Sequence, residues 1–180
     1  METPIILDPV GSGATPLRTQ SAKQIIGQTK ISVIRGNASE IQSLRHADSK
    51  TKGVDSVHSV DEAADTARIL AEELQTTLAI TGPVDLVTDG QRVVRVSNGH
   101  PLMGYVTGTG CTATTAIGAF LAVDSDPVSA TATALAFFGL AGEVAGQTAS
   151  APGSFMIRML DALYTITPDA LSKGCKIEGE

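Results

Sequence analysis

The chain has 180 residues, of which 42% are hydrophobic and 18% are charged, a composition typical of one globular domain and not of a disordered segment. Thirteen Lys and Arg residues against nineteen Asp and Glu residues give a formal net charge of −6, which disfavours a nucleic-acid-binding surface. The aromatic content of 3% likewise disfavours a stacking platform for single strands.

The first part of the sequence alternates short apolar runs with a helical pattern. Apolar residues at 5–7 and 31–34 predict two buried strands. Each run stops at a polar residue, the first at Asp8 and the second at Arg35. Between them, apolar residues at helical spacing over 19–27 predict a short amphipathic helix that a glycine closes.

Two capping-box spacings predict the next two helices. Asn37 stands three residues before Glu40 and predicts a brief helix through residue 44. Residues 46–57 are polar and charged, so they predict a loop. The same spacing recurs at the start of 59–74, where apolar residues continue at helical spacing. Residues 77–81 predict a third buried strand, which ends at Thr81.

The second half predicts a hairpin and then only helices. Residues 84–96, with Asp-Gly at the turn, predict a β-hairpin. Small-residue stretches predict helices over 111–123 and 126–148, and a last helix over 154–166. The order of elements predicts a layered α/β fold around a mainly parallel sheet. We expect one domain over residues 1–166 and a polar tail over 167–180.

The segment Gly108-Thr109-Gly110-Cys111 opens the first of those late helices. Two glycines allow successive N–H groups to point the same way, and the helix dipole favours an anion there. The pattern therefore predicts an anion hole suited to a transferred phosphate. The alternative interpretation is an ordinary helix start that carries a small cysteine. A P-loop is excluded because no Gly-Lys-Ser/Thr follows, and a dinucleotide fingerprint is disfavoured because its third glycine is missing.

Four polar residues follow or end the predicted strands, namely Asp8, Arg35, Glu40 and Thr81. The carboxyl ends of parallel strands share the sheet edge where ligands bind, so these residues are candidates for one site. Asp8 and Glu40 are candidate Mg²⁺ ligands, and Arg35 is a candidate polyphosphate contact. Taken singly, Asp8 is also explained as a turn residue, Glu40 as a helix cap and Arg35 as a surface charge.

The remaining signals indicate a reduced protein without a membrane segment. No uninterrupted apolar run reaches the roughly eighteen residues of a membrane span. The first residues lack the basic and apolar regions of a signal peptide. Two cysteines, Cys111 and Cys175, are too few for a disulfide framework, which favours the cytoplasm. The three histidines, His46, His58 and His100, have no metal-ligand spacing.

Seven segments match, in order, the motifs of one known family. They are Leu-Asp-Pro-Val-Gly at 7–11, Ile-Arg-Gly-Asn-Ala-Ser-Glu-Ile at 34–41, Thr-Gly-Pro-Val-Asp at 81–85, Val-Thr-Asp-Gly at 87–90, Gly-His-Pro-Leu-Met at 99–103, Val-Thr-Gly-Thr-Gly-Cys at 106–111 and Pro-Gly-Ser-Phe at 152–155. With these motifs the chain resembles hydroxyethylthiazole kinase, a ribokinase-like enzyme of thiamine salvage. Most ribokinase-like enzymes carry Asp where this chain has Cys111.

The resemblance implies a reaction and a role for each matching residue. The γ-phosphoryl group of ATP passes to the hydroxyl of 4-methyl-5-(2-hydroxyethyl)thiazole, with Mg²⁺ as the metal. Arg35 and Thr81 match positions that contact ATP, and Gly108 matches a position that contacts the thiazole. Asp8 and Glu40 match acidic positions near Mg²⁺ and the phosphates. Cys111 matches the residue placed to accept the proton of the attacking hydroxyl.

The resemblance also implies a longer family fold than this chain covers. Family members carry a further N-terminal segment, with a methionine that contacts the thiazole, and form homotrimers with the active site between subunits. We therefore expect residues 1–166 to match the C-terminal two thirds of an α/β/α kinase domain, and we expect an exposed sheet edge where the N-terminal segment packs. Alternatives are a hydroxymethylpyrimidine-type kinase, which Cys111 disfavours, and a non-catalytic nucleotide-binding fragment.

Overall fold

The computed structural model describes residues 3–45 and 60–179 and has an α/β architecture, which confirms the predicted class. Its strands are β1 (Ile6–Leu7), β2 (Val33–Asn37), β3 (Thr77–Thr81), β4 (Asp85–Thr88), β5 (Val93–Val96) and β6 (Ile177–Gly179). Its α-helices are α1 (Pro16–Gln28), α2 (Ala38–Ser43), α3 (Val60–Leu74), α4 (Thr109–Leu121), α5 (Pro127–Gly146), α6 (Pro152–Thr165) and α7 (Pro168–Gly174). A 3-10 helix spans Pro101–Tyr105.

The strands form one mixed sheet in the order β1-β2-β3-β4-β5-β6. The pairs β1–β2 and β2–β3 are parallel, and the pairs β3–β4, β4–β5 and β5–β6 are antiparallel. The expectation of a mainly parallel sheet is thus corrected, because the hairpin and the returning β6 add antiparallel pairs. The carboxyl ends of β1, β2 and β3 do share one edge, and β1 has a strand partner on one side only among the described residues.

Helices cover both faces of this sheet and make the fold a three-layer one. Alternate strand residues point to opposite faces, so each strand contributes to two separate cores. One core packs Val33, Ala79, Val87 and Val96 against α4, α5 and α6. The other packs Ile34, Leu78 and Ile80 against α1, α2 and α3. The candidate site lies at the first of these faces, where the strands end.

Most predicted elements are present, with shifted ends. Helix α1 begins at Pro16, because the Thr15 side chain accepts the N–H of Arg18 and caps it. The Asn37–Glu40 capping box of α2 is confirmed. The predicted loop at residues 46–57, with His46, and the cap and histidine at residues 58–59 lie outside the described residues.

The segment predicted as a polar tail instead contributes to the fold. It contains α7 and then β6, which pairs with β5 through Val96 and Ile177. Asn98 fixes this return. Its side chain donates to the Gly174 carbonyl at 2.9 Å and accepts the Lys176 N–H at 2.7 Å. The segment had no apolar pattern to indicate a strand, since all three residues of β6 are exposed.

Helix α5 is the central helix of the larger core. It is long and apolar enough to cross a membrane by length and composition, but 67% of its most apolar window is buried inside the protein. Three glycines on α5, Gly139, Gly142 and Gly146, lie against residues 98–103. A Cβ on each would overlap Asn98, Met103 or His100 respectively. Residues 98–103 therefore approach α5 more closely than any larger residue would allow.

This close approach predicts a selective effect of adding one methyl group to α5. The Gly139→Ala variant should lose about 1–3 kcal/mol of unfolding free energy, because its Cβ meets the main chain of Asn98 and not a flexible side chain. Gly27→Ala in α1 is the matched control, since a Cβ there has no neighbour within 4 Å. It should gain up to about 1 kcal/mol from helix propensity. Urea unfolding checks both, and equal stabilities would contradict the packing.

Candidate functional site

The Arg35 side chain lies at the centre of the sheet edge where the first three strands end. Its Nη2 donates to Thr81 Oγ1 at 2.7 Å, and its Nη1 lies 3.4 Å from Asp8 Oδ2. The side chains of Arg35 and Asp8 are only 12% and 13% exposed. The structure thus brings together three residues that the sequence placed at the ends of three different strands. The surface-charge interpretation of Arg35 is wrong, because its guanidinium is nearly buried and ion-paired.

The same guanidinium also lies against the start of α4. A Cβ on residue 110 would be 2.7 Å from Arg35 Nη1, so only glycine leaves room for the guanidinium there. Thr114, one turn further along α4, donates to Asp8 Oδ2 at 2.8 Å. The Arg35 guanidinium thereby connects three elements: strand β2, Asp8 after β1, and the first turns of α4.

The N-terminus of α4 lies in the segment that the sequence predicts to be an anion hole. Gly108 is the N-cap with a φ of 93°, a left-handed conformation that glycine adopts readily. No side chain caps the helix, so the N–H groups of its first turn are left for another acceptor. Thr109 Oγ1 donates to the carbonyls of Met103 and Val106, which fixes the turn that precedes the helix. Cys111 follows in this first turn and is exposed.

Glu40 is held differently from Asp8. Its Oε2 accepts the N–H of Asn37 at 3.0 Å, which completes the capping box of α2. Its Oε1 accepts the N–H of Gly11 at 2.8 Å, which fixes the loop after β1. Glu40 therefore orders the loop that begins with Asp8 and is not part of the Arg35 cluster itself.

The fit of these carboxylates to Mg²⁺ follows from their donor atoms. Within residues 3–45 and 60–179, no three His, Cys, Asp or Glu side chains converge on a common metal position. Mg²⁺ commonly uses only one or two protein carboxylates, with phosphates and water as its other ligands. The side-chain hydrogen bonds of Asp8 both involve Oδ2, and each carboxylate oxygen of Glu40 accepts one backbone N–H. The carboxylates of Asp8 and Glu40 therefore offer oxygen ligands at this edge that fit a Mg²⁺ ion bound to a polyphosphate.

A cavity of about 630 Å³ opens beside this cluster. Its lining includes Arg35, Thr81, Gly110 and Asp85, together with residues 97–101, 103 and 104. Apolar side chains of α4 and α5 close its inner end: Ala113, Leu135 and Phe138. The cavity lining thus combines charged and apolar side chains.

The wall formed by residues 97–104 is fixed by contacts that the sequence did not reveal. Glu143 Oε1 accepts bonds from the Gly99 N–H, the Asn98 amide and Lys176 Nζ. Burial raises the pKa of Glu143, but these contacts outweigh it and hold that pKa below its ordinary value. His100 stacks on Phe155 with ring centroids 5.3 Å apart. His100 also caps the 3-10 helix, because its Nδ1 accepts the N–H of Leu102.

Asp85 is the functional candidate that sequence reasoning missed. It is the first residue of β4, and its Oδ1 accepts the N–H of Gly82 at 2.9 Å. Burial raises its pKa to about 6, although this backbone bond and the charge of Arg35 act in the opposite direction. The only sequence signal was its place at the end of the Thr-Gly-Pro-Val-Asp motif at 81–85.

Comparison with known proteins identifies relatives of this chain by sequence and by fold. The chain is 66% identical over 178 residues to the hydroxyethylthiazole kinase of Desulfotalea psychrophila and 51% identical over 177 residues to that of Desulfosudis oleivorans. It covers 65% and 64% of those proteins, which in turn match 99% and 97% of this chain.

Solved structures agree with these sequence matches. The hydroxyethylthiazole kinase protein of Pyrococcus horikoshii OT3 superposes with a TM-score of 0.86 at 40% identity, covering 98% of this chain and 65% of that one. The Staphylococcus aureus pyridoxal kinase in complex with AMP-PCP and pyridoxal matches with a TM-score of 0.61 at 20% identity, covering 98% of this chain and 62% of that one. At that identity the second likeness concerns the fold alone.

The fold is that of a ribokinase-like α/β protein. The hydroxyethylthiazole kinase family matches residues 1–169, and the chain belongs to this family. The resemblance inferred from the seven motifs is thereby confirmed. The chain spans just under two thirds of the length of the first two curated relatives.

The contacts of Glu40 predict that it stabilises the fold without any metal. Glu40→Ala should lower the unfolding free energy by about 1–2 kcal/mol, because two backbone N–H groups lose their acceptor. Ser39→Ala, on the same turn, is the control and should change stability by less than about 0.5 kcal/mol, since its bond to Asn37 is exposed. Unfolding in EDTA checks this. Undiminished stability of Glu40→Ala would contradict the structural role.

Proposed function

We propose that this protein transfers the γ-phosphoryl group of ATP to the hydroxyl of 4-methyl-5-(2-hydroxyethyl)thiazole. The observation that supports the proposal most directly is the Arg35 guanidinium, held by Asp8 and Thr81 against Gly110 at the start of α4. One cation and a set of helical N–H groups therefore face the same cavity. Such an arrangement is suited to a polyphosphate. Family membership supports the identity of the acceptor.

In this proposal the protein positions the reactants and offsets charge. Arg35 and Thr81 contact the phosphates of ATP. The N–H groups of residues 108–111 stabilise the charge on the phosphoryl group as it moves. Gly108 lies against the thiazole. The hydroxyl oxygen forms a bond to the γ-phosphorus as the bond to the β,γ-bridging oxygen breaks, and ADP leaves.

Cys111 is the residue that we assign to the proton of the attacking hydroxyl. It is exposed and lies in the first turn of α4, within the predicted anion hole. In this role its sulfur accepts the proton as the new oxygen–phosphorus bond forms. Phosphoryl transfer depends mainly on positioning and charge, so we expect Cys111 to assist the reaction without being indispensable.

Mg²⁺, the compartment and the assembly belong to the same proposal. Asp8 and Glu40 are the carboxylates that we assign to Mg²⁺, which when bound neutralises charge on the phosphates. A cytoplasmic location is supported by the small number of cysteines, both of them free. A homotrimer is supported by the family resemblance and by an exposed apolar stripe on α6: Met156, Ile157, Leu160 and Tyr164.

ADP release from Mg-ATP by the purified chain tests the proposed reaction. We expect release that depends on hydroxyethylthiazole and that hydroxymethylpyrimidine does not compete for. ATP binding without thiazole-dependent release would favour a non-catalytic nucleotide-binding fragment. A folded chain that binds no ATP at all would contradict the assignment of the cavity to a nucleotide.

The two exposed cysteines provide a matched pair for the proton-acceptor role. Cys111→Ala should lower kcat, by up to about 10²-fold, while leaving measurable turnover. Cys175→Ala removes another exposed thiol, near the C-terminus, and should leave kcat unchanged. Steady-state kinetics at saturating ATP and thiazole compare the variants. Equal kcat values for the two variants would exclude Cys111 from the proton transfer.

Arg35 should distinguish the two ligands. Arg35→Ala removes the cation and the bond to Thr81, so it should weaken Mg-ATP binding more than thiazole binding. Arg158→Ala is the control, because Arg158 is exposed on α6 and does not line the cavity. It removes one positive charge and should leave both affinities unchanged. Calorimetric titration with each ligand separately measures both effects. An equal loss of affinity for both ligands in Arg35→Ala would contradict the assignment.

A further inference from the structure

Asp85 closes the turn that connects β3 to β4. Its Oδ1 accepts the Gly82 N–H at 2.9 Å, across residues 81–85. Thr81 immediately precedes Gly82 and ends β3, where its Oγ1 accepts Arg35 Nη2 and lies 3.4 Å from the Gly36 carbonyl. The Asp85–Gly82 bond therefore fixes the direction in which the chain leaves Thr81. The side chain that orients Arg35 depends on this turn.

The surroundings of Asp85 contain few charges. Strand residues alternate between faces, so Asp85 points to the same face as Val87, toward α4 and α5. Arg95 pairs with Leu86 and lies on the opposite face, toward α3. The register partner of Asp85 on β5 is Val96, which is apolar. Strand β5 thus gives Asp85 no charged register partner.

The helices on that face add no close charge either. Among titratable groups α4 carries only Cys111, which is exposed, and α5 carries only Glu143, which is bonded to Asn98, Gly99 and Lys176. The remaining charged or titratable groups around the cavity are Arg35, with its partner Asp8, and His100 on the far wall.

The electrostatic consequence is that Arg35 is the cation that the Asp85 carboxyl faces. Burial among apolar neighbours raises the pKa of Asp85 to about 6, and Arg35 partly opposes that shift. Above this pH a carboxylate faces the cavity, and below it a neutral acid does. The Gly82 N–H bond persists in both forms, since each form offers an acceptor oxygen.

We propose that Asp85 is a positioning residue for the phosphate contacts of Arg35 and Thr81, and that its ionisation lowers the affinity of the cavity for anions. The identity of the anion, Mg-ATP, rests on the function proposed above. The carboxyl contributes in two separable ways. Its oxygen holds the 81–85 turn, and its negative charge subtracts from the positive potential that Arg35 presents.

Two substitutions separate these contributions. Asp85→Asn keeps an acceptor oxygen and removes the charge, so above about pH 7 it should bind Mg-ATP about three- to tenfold more tightly than the wild type. Asp85→Ala removes both, so it should bind more weakly than Asp85→Asn. Asp161→Asn, an exposed carboxylate on α6, is the matched control for net charge and should bind like the wild type. Isothermal titration calorimetry measures all four proteins.

The pH dependence provides the decisive comparison. ATP itself gains a proton near this pH, so each affinity is compared with that of Asp85→Asn under the same conditions. The affinity ratio of wild type to Asp85→Asn should rise toward one as pH falls from about 8 to about 5. A ratio that does not change with pH, with ATP binding intact, would overturn the role of the charge.

An NMR titration keeps the inference testable if the proposed function fails. In the wild type without ATP, the Gly82 amide and the Arg35 guanidinium signals should shift together with a midpoint near pH 6. Asp85→Asn should abolish both shifts, and Asp161→Asn should retain them. A Gly82 shift without an Arg35 shift would overturn the positioning role. A different result is that the wild type shows both shifts while neither it nor any variant binds ATP. That result would contradict only the assignment of the nucleotide.

Discussion

The candidate site depends on one nearly buried cation. The Arg35 guanidinium has little water around it, so its charge requires partners within the protein. Asp8 supplies the opposite charge and Thr81 supplies a neutral oxygen. These partners come from the ends of strands that lie on either side of β2 in the sheet. The parallel pairing of β1, β2 and β3 is therefore what makes the site geometrically available.

Both walls of the cavity depend on positions where only glycine leaves enough room. On one wall, Gly110 lets the guanidinium of Arg35 lie against the first turn of α4. On the other, Gly139 lets the main chain of Asn98 lie directly on α5, and Gly146 leaves room for the imidazole ring of His100. Closely packed groups at both walls follow from these glycines. Preorganised groups of this kind lose little entropy when a ligand binds.

Local patterns predicted the parts of the site that local forces determine. The Asn37–Glu40 cap and the Asp-Gly hairpin turn involve residues a few positions apart, so sequence spacing was sufficient to find them. The placement of Asp8, Arg35 and Thr81 at strand ends also followed from short apolar runs. The sequence did not indicate the second contact of Glu40. Its hydrogen bond to Gly11 spans 29 positions, so no local pattern marks it.

Long-range contacts account for what the sequence did not indicate. Thr114 donates to Asp8 across 106 positions, and Lys176 bonds to Asn98 across 78 positions. Strand β6 consists of three exposed residues, so no hydrophobic period marks it. Its pairing is determined by Asn98 and by the free edge of β5 that the hairpin provides. Such elements depend on the assembled fold and have little preference of their own.

The charged side chains around the cavity explain why anion binding there would depend on the N-terminus of α4. Arg35 supplies one positive charge, which Asp8 largely offsets, and Asp85 adds a second negative charge when ionised. These side chains alone would repel a polyphosphate at neutral pH. Attraction must then come from groups without formal charge or from a bound cation. The uncapped N–H groups of α4 are the first kind of group, and in the function proposed above Mg²⁺ carried by the nucleotide would be the second. The carboxylates of Asp8 and Asp85 therefore favour a metal–polyphosphate complex over the bare polyphosphate, because the complex has less negative charge and is repelled less.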